Sequence, residues 1–274
     1  MEALRALGAL TEPPGRTTAR LVAALGLPDV PGPDTFTDVF GFQLYPYASV
    51  YLGPEGMLGG EARERVAGFW TALGVPPPAE PDHLAALLSL YASLAERDQP
   101  VRHALLWEHL LSWLVPYLAR MREVGGPVYG EWAGALTDLL RTEARMAGPP
   151  QLEPLHFRAA PTLPDPRITG ARAFLEGLLS PPRTGVIIVR SDLVRAGREL
   201  GSGIRVAERS YVLRSLLAQD RPATLAWLAI EARRQAAAHG AAPAELRPVA
   251  AWWQQRAKAA AGLLEELAAE PQAA

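Results

Sequence analysis

Two groups of residues have the types and the spacing to bind a charged or aromatic partner. The first is the run EPDH at residues 80–83, where two carboxylates and an imidazole stand together at the start of a helical pattern. A carboxylate in that position accepts the unpaired N–H groups of the first turn and complements the helix dipole. The second group lies on the next helical pattern, where His109, Trp113 and Pro116 follow one another at i, i+4 and i+7 and therefore share one face.

Signatures of catalysis and of metal or phosphate binding are missing from the sequence. It contains no phosphate-binding loop with a lysine, no Gly-x-Ser-x-Gly elbow and no His-Glu-x-x-His pair. His103 and His109 are six positions apart, which puts them on different faces of a helix. An acid–base enzyme built on Asp82 and His83 is an alternative, but neighbouring helical residues point about 100° apart. We therefore predict a protein that is not an enzyme, with no catalytic residue, no metal and no cofactor.

The composition narrows the class of protein further. No cysteine occurs among the 274 residues, which excludes a disulfide scaffold, a thiol nucleophile, an iron–sulfur cluster and a cysteine zinc site on this chain. The formal net charge of −2 gives no overall attraction to nucleic acid or to an anionic membrane. No apolar run reaches the ~18–20 residues of a membrane span, and the first residues lack the basic start of a secretory signal. These features predict a cytoplasmic protein without membrane insertion.

Apolar residues recur with the period of an α-helix along most of the chain. The segment 61–74, for example, has apolar residues at i, i+3, i+4 and i+7 counted from Val66. The segment 101–124 is apolar on nearly every side, which is typical of a central helix covered by its neighbours. Pro116 lies inside this segment and removes one backbone hydrogen bond, so we expect a kink or break near Ser112. We predict an all-α, single-chain bundle of about nine to eleven helices.

The order of helical and proline-rich segments predicts four parts. Residues 1–39 form an N-terminal segment, and residues 40–148 form a helical core. The stretch 149–169 is expected to be an extended connector, because closely spaced prolines do not build a helix. Residues 170–274 are expected to form a C-terminal helical subdomain that packs against the core as a second layer. The connector could act as a hinge and permit exchange of segments between protomers, which leaves a monomer and a domain-exchanged dimer both open.

Taken together, the two groups of residues resemble a known family in their order and separation. Redox-enzyme maturation chaperones of the TorD/DmsD/NarJ family carry an acidic-Pro and an Asp-His signature at a helix start, which residues 80–83 match without the usual spacer. On the following helix the family has a His-Leu-x-x-Trp-x-x-x-Phe/Tyr pattern, and residues 109–117 (HLLSWLVPY) match it. The run LYPYASVYL at residues 44–52 is similar to an early helix of the family. The resemblance covers residues 40–148 and identifies a TorD-like core.

The resemblance implies an all-helical chaperone, and the net charge of −2 predicts that the chain does not bind nucleic acid. Members of the family bind the twin-arginine signal peptide, and often the body, of a molybdopterin-dependent oxidoreductase precursor until its cofactor is inserted, before export. Arginine pairs with carboxylates through bidentate hydrogen bonds, which makes Glu80, Asp82 and Glu108 candidate partners. The apolar part of the peptide requires an apolar groove, which we expect between the helices over 82–97 and 101–120 and the C-terminal helices.

The predicted peptide-binding residues combine an acidic rim with an aromatic lining. Aromatic residues contribute large contact areas to interfaces. On physical grounds alone, aromatic residues at helical spacing more often belong to a core, so burial is the competing interpretation. The predicted residues are Glu80, Asp82, His83, Trp107, Glu108, His109, Trp113, Pro116 and Tyr117.

Residues 190–217 support an alternative from another class of protein. This run has the outline of helix, glycine-containing turn and helix, and it carries six arginines that would suit a helix-turn-helix reader of nucleic acid. Three acidic residues are interleaved with the arginines, however, and helix pairs of this kind are common in any helical bundle. A nucleic-acid-binding regulator is therefore the alternative interpretation of the sequence.

Overall fold

Helices make up the regular structure, as the apolar periodicity predicts. The computed structural model describes residues 1–94, 99–205 and 207–270. Within these ranges no β-strand forms, and Tyr47 and His83 make an isolated antiparallel bridge. None of the helices in the same ranges combines the length and the apolar character needed to cross a bilayer. The all-α prediction is confirmed.

The helices vary widely in length along the chain. The first part contains α1 (Glu2–Ala9), α2 (Thr18–Leu25), α3 (Pro33–Phe36), α4 (Ala48–Leu52), α5 (Gly60–Ala72), α6 (Leu84–Ser93), α7 (Gln99–Ala104), α8 (Ser112–Val124) and α9 (Gly126–Ala147). π-Helical turns occupy Thr37–Gln43 and Leu105–Leu111. The second part contains α10 (Leu155–Ala159), α11 (Pro166–Thr169), α12 (Ala171–Gly177), α13 (Pro181–Thr184), α14 (Arg190–Glu199), α15 (Arg209–Gln219), α16 (Arg221–Gly240) and α17 (Arg247–Ala269), with a 3₁₀ turn at Ala244–Leu246.

The predicted number of helices is too low because the loops contain short helices. A proline is accepted in the first turn of a helix, where its missing N–H would have no partner anyway. The short helices α3 and α11 begin in this way, and α10 follows directly after Pro154. The stretch 149–169, predicted as extended, therefore contains α10 and α11. The predicted helix over 82–97 is present as α6, and its predicted residues 95–97 lie outside the described part of the chain.

Pro116 produces the predicted irregularity near Ser112. Because proline has no N–H, the Ser112 carbonyl has no helical donor four residues later. The π-helical turn Leu105–Leu111 ends directly before this residue, and α8 begins at Ser112. The indole N–H of Trp253, on α17, donates to the Ser112 carbonyl oxygen at 2.9 Å. The predicted position is correct, but the helix changes its type at Ser112 and does not break. The Ser112 carbonyl is the acceptor that fastens α17 to α8.

Aromatic side chains fill the first hydrophobic core. Its largest fully buried aromatic members are Tyr51, Tyr91, Trp113, Tyr117, Tyr129, Trp132 and Trp253. From the N-terminal segment, α1 adds Leu4 and Leu7 to this core, and Leu10 follows directly after the helix. A Cβ on Gly8 would lie 3.2 Å from the Ala85 Cα, so this glycine allows α1 to pack closely against α6. The N-terminal helix is thereby placed beside the start of α6.

A second hydrophobic core occupies the C-terminal part of the chain. The long helices α16 and α17 pack along each other and contribute Leu228 and Leu264 to it. Gly185 has a φ of +71°, and a Cβ there would clash with the backbone of Ala257, so glycine is what lets the end of α13 approach α17. Trp253 belongs to the first core although it lies on the same helix as Ala257. The helix α17 therefore joins the two cores.

An ion-pair network also connects the two parts of the molecule. Arg120 on α8 donates to Asp192 on α14 at 2.7 Å and pairs with Glu123. Arg234 on α16 bonds to Glu123 at 2.8 Å and to Glu231 at 2.6 Å. Because removal of one partner from a buried pair leaves an uncompensated charge, the network fixes α8, α14 and α16 relative to one another.

Candidate peptide-binding site

Asp82 is a buried residue that joins two helix starts. Its carboxylate accepts the backbone N–H of Ser49 at 3.0 Å, and its carbonyl accepts the N–H of Ala48 at 3.0 Å. The Leu84 N–H donates in turn to the Pro46 carbonyl at 2.8 Å. With its side chain 2 % exposed, Asp82 caps the start of α4 and holds it against the start of α6. Asp82 belongs to the predicted site, but its carboxylate does not face solvent.

His83, rather than a carboxylate, caps α6. Its Nδ1 accepts the Ala85 N–H at 3.2 Å, and its ring meets the Tyr47 ring edge-on at a centroid distance of 4.8 Å. The predicted carboxylate cap at the start of this helix is therefore wrong. Burial lowers the pKa of His83 despite the neighbouring charges of Glu80, Glu12 and Asp82, which oppose the shift. The imidazole is therefore held in its neutral form.

A surface hollow, which we call the acidic pocket, lies between α1 and the start of α6. Its volume is about 520 Å³. It is lined by Arg5, Ala9, Glu12, Pro78, Ala79, Glu80, His83, Ala85, Ala86 and Ser89. Burial, together with a hydrogen bond to Glu80, raises the pKa of the nearby Tyr47 to about 12. The acidic pocket thus combines two exposed carboxylates with a floor of small side chains.

Glu12 reaches the acidic pocket because α1 ends beside α6. The Thr11 hydroxyl donates to the Gly8 carbonyl at 2.7 Å, and the indole N–H of Trp132 donates to the Leu7 carbonyl at 2.9 Å. These bonds fix the end of α1 and the residue that follows it. Sequence reasoning missed Glu12, because it lies about seventy residues before His83 and no local pattern connects the two.

Trp107 and Glu108 lie at a different hollow, which we call the connector pocket. It has a volume of about 750 Å³ and is bordered by Tyr91 near the end of α6 and by Met146 near the end of α9. The Trp107 indole N–H donates to the Gly148 carbonyl at 3.1 Å. Both oxygens of Glu108 accept the Leu155 N–H, at 3.1 and 2.8 Å. Burial raises the pKa of Glu108 although that hydrogen bond opposes the shift. Because its carboxylate bonds to the first residue of α10, Glu108 holds the start of that helix.

The remaining aromatic members of the predicted site are buried in the first core. Trp113 stacks on Tyr51 with ring centroids 5.4 Å apart, and its indole N–H donates to the His109 carbonyl at 2.9 Å. The Tyr117 hydroxyl donates to the Leu44 carbonyl at 3.3 Å. The buried predicted residues are Asp82, His83, Trp107, His109, Trp113, Pro116 and Tyr117. The expected open aromatic groove is wrong, because these rings supply the apolar volume that holds the helices together.

The structure therefore divides the predicted site between the two ends of α6. Glu80, Asp82 and His83 stand together at its start, whereas Trp107 and Glu108 lie at the connector pocket with Tyr91, near its end. Ten residues of helix span about 15 Å. The predicted site is therefore two separate surfaces and not one groove.

Three histidines away from the acidic pocket are buried and neutral. Burial lowers the pKa of His109 and His239 to about 4 and that of His156 to about 3. The rings of His109 and His156 lie 5.7 Å apart between centroids, and the positive charge of Arg65 lowers both values further. Among the described residues no group of three or more histidine or acidic side chains has the arrangement of a metal site.

We expect these histidines to make the fold sensitive to mild acid. An unfolded histidine has a pKa of about 6.5, so between pH 6.5 and 4 the unfolded chain binds protons that the folded chain rejects. The free energy of unfolding therefore falls as the pH falls through this window, by roughly 2 kcal/mol for one such histidine between pH 7 and pH 5. Urea unfolding at both pH values should show that His109→Gln reduces the difference by this amount.

A core variant without a titrating group provides the control for this experiment. Leu106→Val removes a buried methylene group near His109 and should lower stability equally at both pH values. Its difference between pH 7 and pH 5 should equal that of the unchanged chain. A His109→Gln chain with the full difference would show that His109 does not carry the effect.

Three of the six arginines of the helix-turn-helix alternative are engaged by the chain itself. Arg195 bonds to Glu231 at 2.9 Å and stacks on Trp227. Arg209 donates to the Ile188 carbonyl at 2.7 Å, and Arg190 lies over the Phe42 ring. The apolar faces of α14 and α15 are buried in the second core. These contacts favour a structural role for the pair of helices.

The fold and the site define an all-α protein with an acidic pocket at a helix start. Residues 34–119 match the family model described as nitrate reductase delta subunit. The match includes residues 80–83 and the pattern at 109–117, and it confirms the resemblance to the TorD/DmsD/NarJ family over this stretch. The family consists of molybdoenzyme maturation chaperones and is not a catalytic family. No curated protein and no solved structure gave a match.

Proposed function

We propose that the chain is a cytoplasmic chaperone for the precursor of a molybdopterin-dependent oxidoreductase. It binds the twin-arginine signal peptide, the apo form of the enzyme, or both, while the cofactor is inserted and before export. The family match over residues 34–119 supports the class of partner. The acidic pocket carries the proposal, because it offers uncompensated carboxylates beside the residues that bear the family signature.

Glu12 and Glu80 supply the charge for the proposed contact with the arginines. Both residues are exposed, and neither forms an ion pair with another residue in the described ranges. Each guanidinium group of a twin-arginine motif can make bidentate hydrogen bonds with one carboxylate. Arg5 also lines the pocket, but it is paired with Glu2 at 2.7 Å and leaves the two carboxylates available.

The other walls of the acidic pocket suit the same ligand. Ala9, Ala85 and Ala86 are small and apolar, which leaves room for the methylene groups of an arginine side chain. Because burial keeps His83 neutral, its ring adds no positive charge that would repel an incoming guanidinium group. Asp82 acts as a positioning residue in this proposal, since it fixes the helix start from which Glu80 projects.

The other predicted residues have a different place in the proposal. Glu108 and Trp107 border the connector pocket, which is a separate surface for the body of the client. Contact of a peptide with His109, Trp113, Pro116 or Tyr117 would require the first core to open, and their binding role stays a prediction. The same proposal includes the division of the chain into parts that begin at residues 40, 149 and 170. It leaves a monomer and a domain-exchanged dimer both open.

The double variant Glu12→Gln/Glu80→Gln is expected to bind a twin-arginine peptide about tenfold more weakly or worse. Loss of charge-assisted hydrogen bonds worth ~1.5–3 kcal/mol each accounts for at least this factor. The measurement is calorimetric titration of the full chain with synthetic signal peptides from nitrate-, dimethyl-sulfoxide-, formate- and tetrathionate-type reductases. The tightest peptide for the unchanged chain is then used for the variant.

Glu131→Gln is the surface control for this titration. Glu131 is an exposed carboxylate on α9 that borders none of the pockets described above, so its removal changes the net charge without changing the proposed site. Affinity should be unchanged in this control. Equal affinities for the double variant and the control would contradict the assignment of the acidic pocket. Asp82 is unsuitable for this test, because its replacement would leave the buried Ser49 N–H at the start of α4 without its acceptor.

A further inference from the structure

An open hollow in the C-terminal part, which we call the arginine pocket, has an unusual combination of lining residues. It lies between α11, α12 and α15 and has a volume of about 540 Å³, within the range of roughly 300–1,000 Å³ that is typical of small-molecule sites. Phe174, Leu175 and Leu217 form its apolar wall and belong to the second core or pack against it. The wall is thus rigidly supported but uncovered on one side.

The charged residues that line this pocket are all arginines. Arg167, Arg214 and Arg221 line the pocket, and no carboxylate does. Arg167 already bonds to Asp165 at 2.7 Å and to Glu266 at 3.1 Å, so its charge is compensated. The side chains of Arg214 and Arg221 make no ion pair or hydrogen bond with any residue in the described ranges, and both are exposed. Two uncompensated guanidinium groups therefore stand at the rim.

We propose that the arginine pocket binds a small amphiphilic anion, with an apolar body against Phe174, Leu175 and Leu217 and a carboxylate or phosphate group between Arg214 and Arg221. Burial of the body removes apolar surface from water on both the ligand and the wall. The head group gains charge-assisted hydrogen bonds from two planar guanidinium groups that have no competing partner. A neutral molecule of the same shape gains only the burial of its apolar body, and a cation is repelled by the two arginines. This site lies apart from the acidic pocket and does not depend on the proposed chaperone function.

The probe for this site is the fluorescent dye anilinonaphthalene sulfonate, which has an aromatic body and one anionic group. Titration of the full chain should show saturable binding of one dye. Octanoate or octyl phosphate should displace it, and the stronger competitor identifies the preferred head group. Octyl glucoside has a similar apolar chain without the charge and should displace the dye at least about tenfold less effectively.

Two variants place the dye in the arginine pocket. Arg214→Ala/Arg221→Ala should weaken dye binding about tenfold, whereas Arg16→Ala/Arg20→Ala removes two exposed arginines elsewhere and should leave it unchanged. Ala218→Trp fills the pocket from its exposed rim and should abolish binding. All of these positions are exposed, and circular dichroism verifies that each variant folds.

Three results would overturn the proposal. The first is unchanged dye affinity in Arg214→Ala/Arg221→Ala, which would remove the arginines from the site. The second is unchanged binding in Ala218→Trp, which would place the dye elsewhere on the chain. The third is displacement by octyl glucoside at the same concentration as by octyl phosphate and octanoate, which would show that the site does not select an anion.

Discussion

Trp253→Ala is expected to lower the free energy of unfolding by about 3–5 kcal/mol through the cavity it leaves in the first core. The side chain is 0 % exposed and packs at right angles to Phe157. A further ~1–3 kcal/mol follows because the Ser112 carbonyl loses its donor and remains buried. Urea unfolding monitored by circular dichroism measures the sum. Trp252→Ala, at the neighbouring half-buried position, should cost clearly less.

A double-mutant cycle separates the hydrogen bond of Trp253 from its packing. Trp253→Phe keeps most of the volume and removes the indole N–H that reaches Ser112. Pro116→Ala restores a backbone N–H that can donate to the same carbonyl. The two changes together should therefore be less destabilising than the sum of the single changes, by ~1 kcal/mol or more. Strict additivity would show that Trp253 does not replace the backbone donor that Pro116 removes from the Ser112 carbonyl.

Asp192→Ala is expected to destabilise the chain by about 3–5 kcal/mol, because it leaves Arg120 buried with reduced compensation. The Asp192 carboxylate bonds to Arg120 at 2.7 Å and also accepts the Val189 N–H at 2.9 Å at the start of α14. Both side chains are almost completely buried, at 3 % and 6 % exposure. Urea unfolding gives the loss directly. A loss below about 1 kcal/mol would show that this pair does not hold α8 to α14.

Replacement of both partners distinguishes a buried charge effect from a simple loss of packing. The double variant Arg120→Leu/Asp192→Leu leaves no charge without a partner and should be more stable than Asp192→Ala. Asp138→Ala is the surface control, since Asp138 is 72 % exposed and pairs with Arg141 at 3.3 Å. Its cost should stay below about 1 kcal/mol. A double variant as unstable as the single one would indicate that shape, not charge, matters here.

The elements that depend on local pattern could be predicted from the sequence. Apolar periodicity predicts α5, α6 and α9, and the run of apolar residues on nearly every side predicts α8, because both patterns are local properties of the sequence. The effect of Pro116 was also predictable, since the lost N–H is a property of the residue itself. The short helices of the connector were not predictable. A proline is unfavourable inside a helix but is accepted in its first turn, so closely spaced prolines do not exclude short helices.

The candidate site was only partly predictable because its parts are distant in sequence. The signature at residues 80–83 marked the start of α6 correctly. Glu12 was missed, since only the packing of α1 on α6 brings it there. The aromatic residues at 109–117 were assigned to an open groove, whereas they fill the core. Helical spacing shows which residues share a face but not whether that face meets solvent or another helix.

The acidic pocket and the connector pocket make different predictions about where a signal peptide lies. Photo-crosslinking of the full chain with a twin-arginine signal peptide distinguishes them, if a benzophenone group is placed next to the arginine pair and the cross-linked residues are mapped by mass spectrometry. We expect cross-links within residues 5–12 and 78–89, which line the acidic pocket. Cross-links confined to residues 99–108 and 146–152, or none at all, would contradict it.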